Sequence, residues 1–451
     1  MLHSVALEYK KCRGCTTCIK SCPTEAIRVR NGKATILDDR CIDCGMCIVA
    51  CPHKAIKSEC DSFEALKDFK YTVALPDPAL YGQFRNLEDP DIVLNGLLKL
   101  GFDAVYETST AAELCSGFAR HVIMNDEGRV MPEISSACPV VIRLICMRYP
   151  KLIPNIAPVV LPSNLAAVLA RRKAVADTGL NPEEIGVFSI VPCSSQVTDA
   201  HTPVGLMDRV IDGAFAIRDV YLKLLQPMRE LDPNALEPLS GSGIMGVGWA
   251  FCGGESAARL NERYVGVDGM ENVVRMLDEI EDGRLPEADF LELRACTRGC
   301  VGGCLCVENP YGSHMRIKQL MRELPVSRNR YDPNALSREE FHVNRKPEFD
   351  PALLLDSDRS AAMEKMLRIC ELESQLPGLR CGSCGAPSCH AFAEDVIMGR
   401  ANQDDCIFKV RERMRYMAGA GYADEYLPAP FRHRKTECDL ELYVPSAPSD
   451  R

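Results

Sequence analysis

Apolar positions recur every three to four residues in DIVLNGLLKLGF (91–102), VVIRLICMRY (140–149) and NLAAVLARRKAVADTG (164–179), a spacing that predicts helices with one buried face. Gly179 ends the last of these as a C-cap. Between them lie short β-rich stretches: YTVALPDP from residue 71, stopped by its prolines, DAVYET from 103, and EEIGVFSIVPC from 183. Strand and helix alternating in this way predict an α/β domain, a mostly parallel sheet with helices on both faces. Cys138, Cys193 and Cys296 each follow an apolar run (MPEI, VFSIV, DFLEL), which places them at the carboxyl ends of strands. Ligand sites of open α/β sheets gather there. Upstream, ECDSFEALKDFK (59–70) is charged and reads as a connecting helix or linker, with a domain boundary near residue 66.

The chain has 451 residues, 46% of them hydrophobic, and a formal net charge of −10. These values fit a globular protein of two to four domains and exclude a disordered one. No apolar run approaches the ~20 residues of a membrane helix, since the richest, Leu165 to Ala170, is closed by Arg171, Arg172 and Lys173. MLHSVALEYK at the start has neither the basic region nor the continuous apolar core of a secretory signal, so a cytoplasmic protein with no membrane partner is expected. The acidic balance, with FRHRK (431–435) as its short basic run, speaks against nucleic acid. The 24 cysteines must then be explained in a reducing compartment, where so many thiols point to metal. They fall in blocks, nine between residues 12 and 60, a knot at 296–306, and four at 381–406. The expected domains are 1–65, 66–355 and 356–410, followed by a tail, 411–451, without readable chemistry.

Cys12, Cys15, Cys18 and Cys22-Pro23 form C-x2-C-x2-C-x3-C-P, and Cys41, Cys44, Cys47 and Cys51-Pro52 repeat it 29 residues later. This is the two-cluster ferredoxin pattern: three thiolates of a tight loop converge on one [4Fe-4S] cube, and the proline turns the fourth toward the neighbouring cube. Cys12, Cys15, Cys18 and Cys51 are assigned to one cluster, and Cys41, Cys44, Cys47 and Cys22 to the other. Structural zinc, the alternative, uses paired cysteines with long intervals between pairs. Cys60 reads as a small buried residue. Near the other end, Cys381, Cys384, Cys389 and Cys406 make C-x2-C-x4-C-x16-C. A loop supplies three ligands, HAFAEDVIMG a helix with Phe392, Ala393, Val396 and Ile397 on one face, and the fourth ligand lies just past it. This arrangement resembles the small [4Fe-4S] domain of corrinoid iron-sulfur proteins and of electron-transfer subunits of anaerobes. The lone C-x2-C pair leaves zinc open there.

LELRACTRGCVGGC carries Cys296 and Cys300 among Gly299, Gly302 and Gly303, which allow close backbone approach. Together with SSACP (135–139) and PCSSQ (192–196), in this order and spacing, it resembles the three cluster-binding motifs of the [FeFe]-hydrogenase catalytic domain. GFDAVYETS (101–109) is similar to a strand-forming segment of that domain, so the resemblance spans roughly residues 70 to 325. With its flanking iron-sulfur domains, the chain resembles the sensory type of this family. The resemblance implies a hydrogenase domain of two doubly wound α/β lobes, an α+β ferredoxin-like N-terminal domain and a small helical C-terminal iron-sulfur domain. It implies that Cys138, Cys193, Cys296 and Cys300 hold a [4Fe-4S] cube. Cys300 would also bridge to a diiron unit with CO, cyanide and dithiolate ligands, installed by hydrogenase maturation factors. The implied partners are H2, protons, and a redox or signalling protein.

Several positions depart from the family's pattern. Ala137 stands where the family's productive enzymes have a proton-passing cysteine, and a methyl group carries no proton. LCSGFARHV holds no counterpart of the glutamates that continue the relay. Gln196 replaces a lysine that pairs with a cyanide, offering a hydrogen bond without a charge. Val191 and Arg294 replace methionines, the guanidinium either restoring the lost charge or filling the pocket. Cys304 and Cys306 are core thiols, proton carriers or further ligands. Each departure removes something that fast turnover needs while leaving the four cube ligands. The readings are a slow or sensory hydrogenase with electrons relayed through [4Fe-4S] clusters, or a noncatalytic electron-transfer protein without the diiron site. A third is an iron-sulfur carrier.

Overall fold

In the computed structural model, each N-terminal cysteine loop runs into a short helix, Thr17–Ser21 after the first and Met46–Ala50 after the second. Four strands, β1 (Val5–Leu7), β2 (Ile27–Arg30), β3 (Lys33–Ile36) and β4 (Ile56–Ser58), frame them as two antiparallel pairs, β1 with β4 and β2 with β3. The β2–β3 hairpin turns through Asn31 and Gly32, both at positive φ, as a tight two-residue turn requires. Val5, Ile19, Ile27, Ala34 and Ile56 close a small core between the loops. The structure describes residues 3–125, 130–260, 262–284, 287–351 and 355–418, so FRHRK and the rest of the tail from residue 419 on lie outside the described residues. Two compact units are present, Met1–Leu354 and Leu355–Arg451.

The charged connector becomes a 3-10 helix, Phe63–Asp68, and it is packed against the next domain: Phe63 stacks on Phe215 with ring centroids 4.3 Å apart. Beyond it, β5 (Tyr71–Pro76), β6 (Ala104–Val105), β7 (Glu133–Ile134), β8 (Ile185–Val191), β9 (Gly213–Ala216), β10 (Tyr264–Asp268) and β11 (Phe290–Arg294) make two all-parallel sheets. The first has the order β6-β5-β8-β9 and the second β10-β11-β7. β8 is buried along its whole length, which is why IGVFSIV is a continuous apolar run and not an alternating one. Its side chains divide by parity. Val187 and Val191 join Val73 and Leu75 in one core, while Phe188 and Ile190 join Ala74 and Phe215 in the other. The helix Pro162–Thr178 covers the first face, and Pro90–Lys99 with Ile217–Arg229 the second. Each fully buried side chain of this size contributes about 1.5–3 kcal/mol, so β8 is the spine of its lobe. In the second lobe, Ile134, Leu291 and Leu293 pack against the helices Pro139–Arg148 and Met270–Glu281.

DAVYET is a strand only over Ala104–Val105. It stops because Glu107 turns inward, accepting hydrogen bonds from the Tyr81 hydroxyl at 2.6 Å and the Gly241 amide at 2.6 Å. The second unit is helical: Arg359–Ser374 packs on Cys389–Ile397, and Ile407–Ala418 follows. Ala391, Phe392 and Ala393 are buried, whereas Val396 and Ile397, expected on the same buried face, are half-buried because the helix ends there.

Candidate iron-sulfur centres

Cys12, Cys15, Cys18 and Cys51 line one cavity of the N-terminal domain, with Arg13 and His53 at its wall. Cys22 meets Cys41, Cys44 and Cys47 instead. Burial pushes Cys44 well above the ordinary thiol value, and the charges of Cys22 and Cys41 push further. Cys18 and Cys41 are raised to about 11 and about 12, burial again being the largest cause. Buried thiols that oppose one another's ionisation make poor neighbours unless a cation binds them all, at which point coordination removes their protons. Backbone amides are already aimed at the sulfurs: Ala26 donates to Cys22 Sγ at 3.2 Å, Ala55 to Cys51 Sγ at 3.3 Å and Ala34 to Cys12 Sγ at 3.4 Å. Such donors favour the charged form and tune the potential of a bound cluster.

The central site is assembled from strand ends of both sheets. Cys138 follows β7 and caps the helix Pro139–Arg148; Cys193 follows β8 and caps Ser194–His201. Helix N-termini favour a thiolate. Cys296 follows β11, and Cys300 opens the turn Cys300–Gly302. Cys193 is raised by burial and then by Cys296, Cys304 and Cys300; Cys296 by burial and then by Cys304, Cys138, Cys300 and Cys306. The four motif cysteines therefore converge, with two more thiols beside them. Glycine makes the approach possible, because a Cβ on Gly303 would lie 2.2 Å from the Pro192 carbonyl oxygen.

Of these four thiols, Cys300 also lines a second cavity, of ≈ 40 Å³, with Ala137, Gln196, Arg294, Trp249 and Leu161 in its wall. That exceeds the roughly 10–15 Å³ that a single water needs. The structure thus brings Ala137, Gln196, Arg294 and Cys300 to one place, and it adds a residue that sequence reasoning missed. Asp77 lines the cavity, accepts the Ala79 amide at 2.8 Å and is bonded by the Gln196 side chain, while burial pushes its carboxyl up to about 6. Its signal, an acid between two prolines at a strand end, reads in sequence as a strand stop.

Arg294 is held by two buried carboxylates, Nε to Glu292 at 3.2 Å and Nη2 to Glu255 at 3.2 Å. Burial alone would lower its pKa, but Glu292 and Glu255 hold it well above the usual value. The network continues through Arg259, which pairs with Glu255 at 3.1 Å and Glu133 at 3.3 Å, and through Ser135, whose hydroxyl donates to Glu255 at 2.5 Å. The guanidinium fills the pocket wall with its charge already met. Cys306 Sγ lies 3.5 Å from the Cys300 carbonyl oxygen. Cys304 stands at the seam with the N-terminal domain: its Sγ is 3.6 Å from Ser194 Oγ, which donates to the Asp43 carbonyl at 2.8 Å. In the second unit, Cys381, Cys384, Cys389 and Cys406 line a single cavity with Phe392 and Phe408.

All-thiol quartets at strand ends and tight loops fit iron-sulfur clusters, and the class this defines is a multi-cluster iron-sulfur protein built on a double α/β lobe. Residues 70–240 and 254–304 match the family model of the iron-only hydrogenase large subunit, C-terminal domain; residues 4–52 match a 4Fe-4S dicluster domain and 376–408 an Fe-S cluster domain. The chain belongs to the iron-only, or [FeFe]-, hydrogenase family. The periplasmic [Fe] hydrogenase large subunit of Nitratidesulfovibrio vulgaris is 27% identical over 365 residues, 67% of this chain and 86% of that one. Iron hydrogenase 1 of Clostridium pasteurianum is 23% identical over 256 residues, 47% of this chain and 44% of its own length. An apo [FeFe]-hydrogenase from Chlamydomonas reinhardtii shares the fold at a TM-score of 0.50 and 16% identity, covering 64% of this chain and 98% of its own. Among the described residues, no helix is long and apolar enough to cross a membrane. The first relative's name places that protein in the periplasm.

Proposed function

We propose that the protein is a slow, hydrogen-responsive member of its family, acting in the cytoplasm. Its electrons would run between a diiron unit on Cys300, a cube held by Cys138, Cys193, Cys296 and Cys300, and two N-terminal [4Fe-4S] clusters, and so to a redox or signalling partner. The C-terminal quartet would hold a fourth cube. The observation that carries this reading is that Cys300 faces the second cavity as well as the other three thiols, which is where a unit sharing its sulfur needs space. Once installed by maturation factors, the diiron unit supplies the chemistry of making or splitting H2. The chain's own residues enclose it: Trp249 and Leu161 wall the cavity, Gln196 offers an amide, and Cys300 anchors. Ala137 offers no proton carrier at the cavity wall, which favours reporting on H2 over rapid turnover.

A second reading, electron transfer without the diiron unit, is favoured by the charges around the cavity. Asp77 and neutral Gln196 face it, and the Arg294 charge is shared with Glu255 and Glu292, so the wall offers an anionic ligand set little compensation. Infrared spectra of protein matured anaerobically, taken under argon and then under H2, separate the two. Cyanide and CO bands that shift with H2 support the first reading; their absence from a protein whose iron still fills four cubes leaves the second.

A further inference from the structure

A cavity of ≈ 480 Å³ that no cysteine lines lies between the residues before Cys138, the segment 153–161 and residues 342–347. An apolar cavity of about 150 Å³ takes a benzene ring, so this one has room for a molecule about three times that size. Its volume is that of a small-molecule site. The wall is hydrocarbon: Ile142, Ile156, Ala157, Val159 and Leu161, all buried. The buried polar side chains of the wall already have partners in the protein. Ser136 Oγ donates to the Val159 carbonyl at 2.7 Å, Asn155 Nδ2 donates to the Pro132 carbonyl at 2.9 Å, and Glu133 pairs with Arg259 at 3.3 Å. The interior therefore suits an alkyl chain. Lys346 lines the open edge, exposed and with no ion pair among the described residues. An apolar interior with a cation at its edge complements a molecule that carries one carboxylate on a hydrocarbon body. A dissolved gas would use neither the volume nor the charge.

Leu161 lines both this cavity and the one beside Cys300, and of the adjacent residues Ser136 and Ala137 the first lines one and the second the other. A chain of buried ion pairs makes the same connection. Glu133 pairs with Arg259, Arg259 with Glu255 at 3.1 Å, and Glu255 with Arg294 at 3.2 Å, and Arg294 lines the Cys300 cavity. A hydrocarbon lying against Glu133 excludes water from it, and ion pairs strengthen as the dielectric around them falls. We propose that the large cavity is a regulatory site for a medium-chain monocarboxylic acid, whose carboxylate sits at Lys346 and whose alkyl chain, packed against Leu161 and Glu133, firms the wall of the Cys300 cavity. The site goes beyond the activity proposed above and does not rest on it.

The test is isothermal calorimetry of the anaerobically purified holoprotein with hexanoate, octanoate, decanoate and decanol. One molecule is expected to bind per chain, about fourfold more tightly for each added methylene until the cavity is full, and decanoate more tightly than decanol. Lys346→Met should weaken decanoate about two- to fivefold and Lys346→Glu about tenfold, with decanol unchanged in both. Hydrogen exchange by mass spectrometry, with and without decanoate, reads the connection: amides of the helix Gly254–Arg259, which carries Glu255 and Arg259, should exchange about fivefold or more slowly when the acid is bound. Absent or unsaturable binding, an affinity indifferent to chain length, a Lys346→Glu variant as tight as wild type, or saturable binding that leaves exchange in Gly254–Arg259 unchanged would each overturn the proposal. None of these readouts needs H2 or the diiron unit, so infrared spectra without cyanide and CO bands would bring down the proposed activity and leave this site standing.

Discussion

Gly45 sits in the inner ferredoxin loop at φ 70°, and a Cβ placed on it would lie 2.3 Å from Cys304 Sγ and 2.8 Å from Cys304 Cβ. Gly45→Ala therefore meets two costs. A left-handed backbone with a Cβ costs about 1–2 kcal/mol, and the overlap with Cys304 about 1–3 kcal/mol. Turning the Cys304 sulfur aside does not relieve the overlap with its Cβ, so Cys304→Ala should restore only part of the loss, and Cys304→Gly all of the overlap share. The backbone share remains in every case. Hydrogen exchange by mass spectrometry on the intact holoprotein reads this directly, because the Ile48 and Val49 amides donate to the Gly45 carbonyl at 3.0 and 3.2 Å. A loss of about 2–5 kcal/mol accelerates their exchange by about thirtyfold to several thousandfold, and the double-mutant cycle with Cys304→Gly should return a coupling of about 1–3 kcal/mol. Exchange unchanged in Gly45→Ala, or a coupling of zero, would refute the close seam between the two cluster-bearing loops.

Arg259→Met leaves Glu133 and Glu255 buried without their shared cation, and thermal unfolding should register a loss of about 3–5 kcal/mol. Cys381→Ser should lower bound iron by about four atoms per chain while the spectroscopic signals of the other clusters persist; loss of zinc in place of iron would show that the C-terminal quartet is a zinc site. His314, stacked on Phe251 and accepting from Arg298 Nε at 3.0 Å, is held down to about 4 by burial and then by Arg298 and Lys318. A folded state that refuses a proton which the unfolded chain takes near 6.5 loses stability as pH falls through that value. Between about pH 7.5 and pH 5.5 the loss should be about 1 kcal/mol. His314→Phe, which does not titrate, should narrow its stability gap to wild type by that amount, measured as thermal midpoints at both pH values.

What was legible in the sequence is what local chemistry enforces. A cube demands several thiolates within a few residues, so CRGCTTC and CIDCGMC announce themselves, and the apolar runs before Cys193 and Cys296 are strands buried along their length, whereas the run before Cys138 is a strand only over Glu133–Ile134, with Met131 exposed. What was not legible depends on residues far apart in the chain. Asp77 reads as a turn residue until Gln196 is seen bonded to it. Nothing local to GESAAR marks Glu255 and Arg259, yet they are 1% and 3% exposed, because Arg294 and Glu133 reach them from two strands. DAVYET has strand-forming residues to its end, but the partners of Glu107 curtail it.

Cys193 comes from the four-stranded sheet, whereas Cys138, Cys296 and Cys300 come from the three-stranded one. A cluster gripped by these four sulfurs would be a rivet through both lobes, closing a covalent ring that the backbone alone leaves open. Damage at the outer cluster would cost the protein a wire. Loss of a group held by the central four would therefore loosen the tie between the two sheets as well as interrupt an electron path.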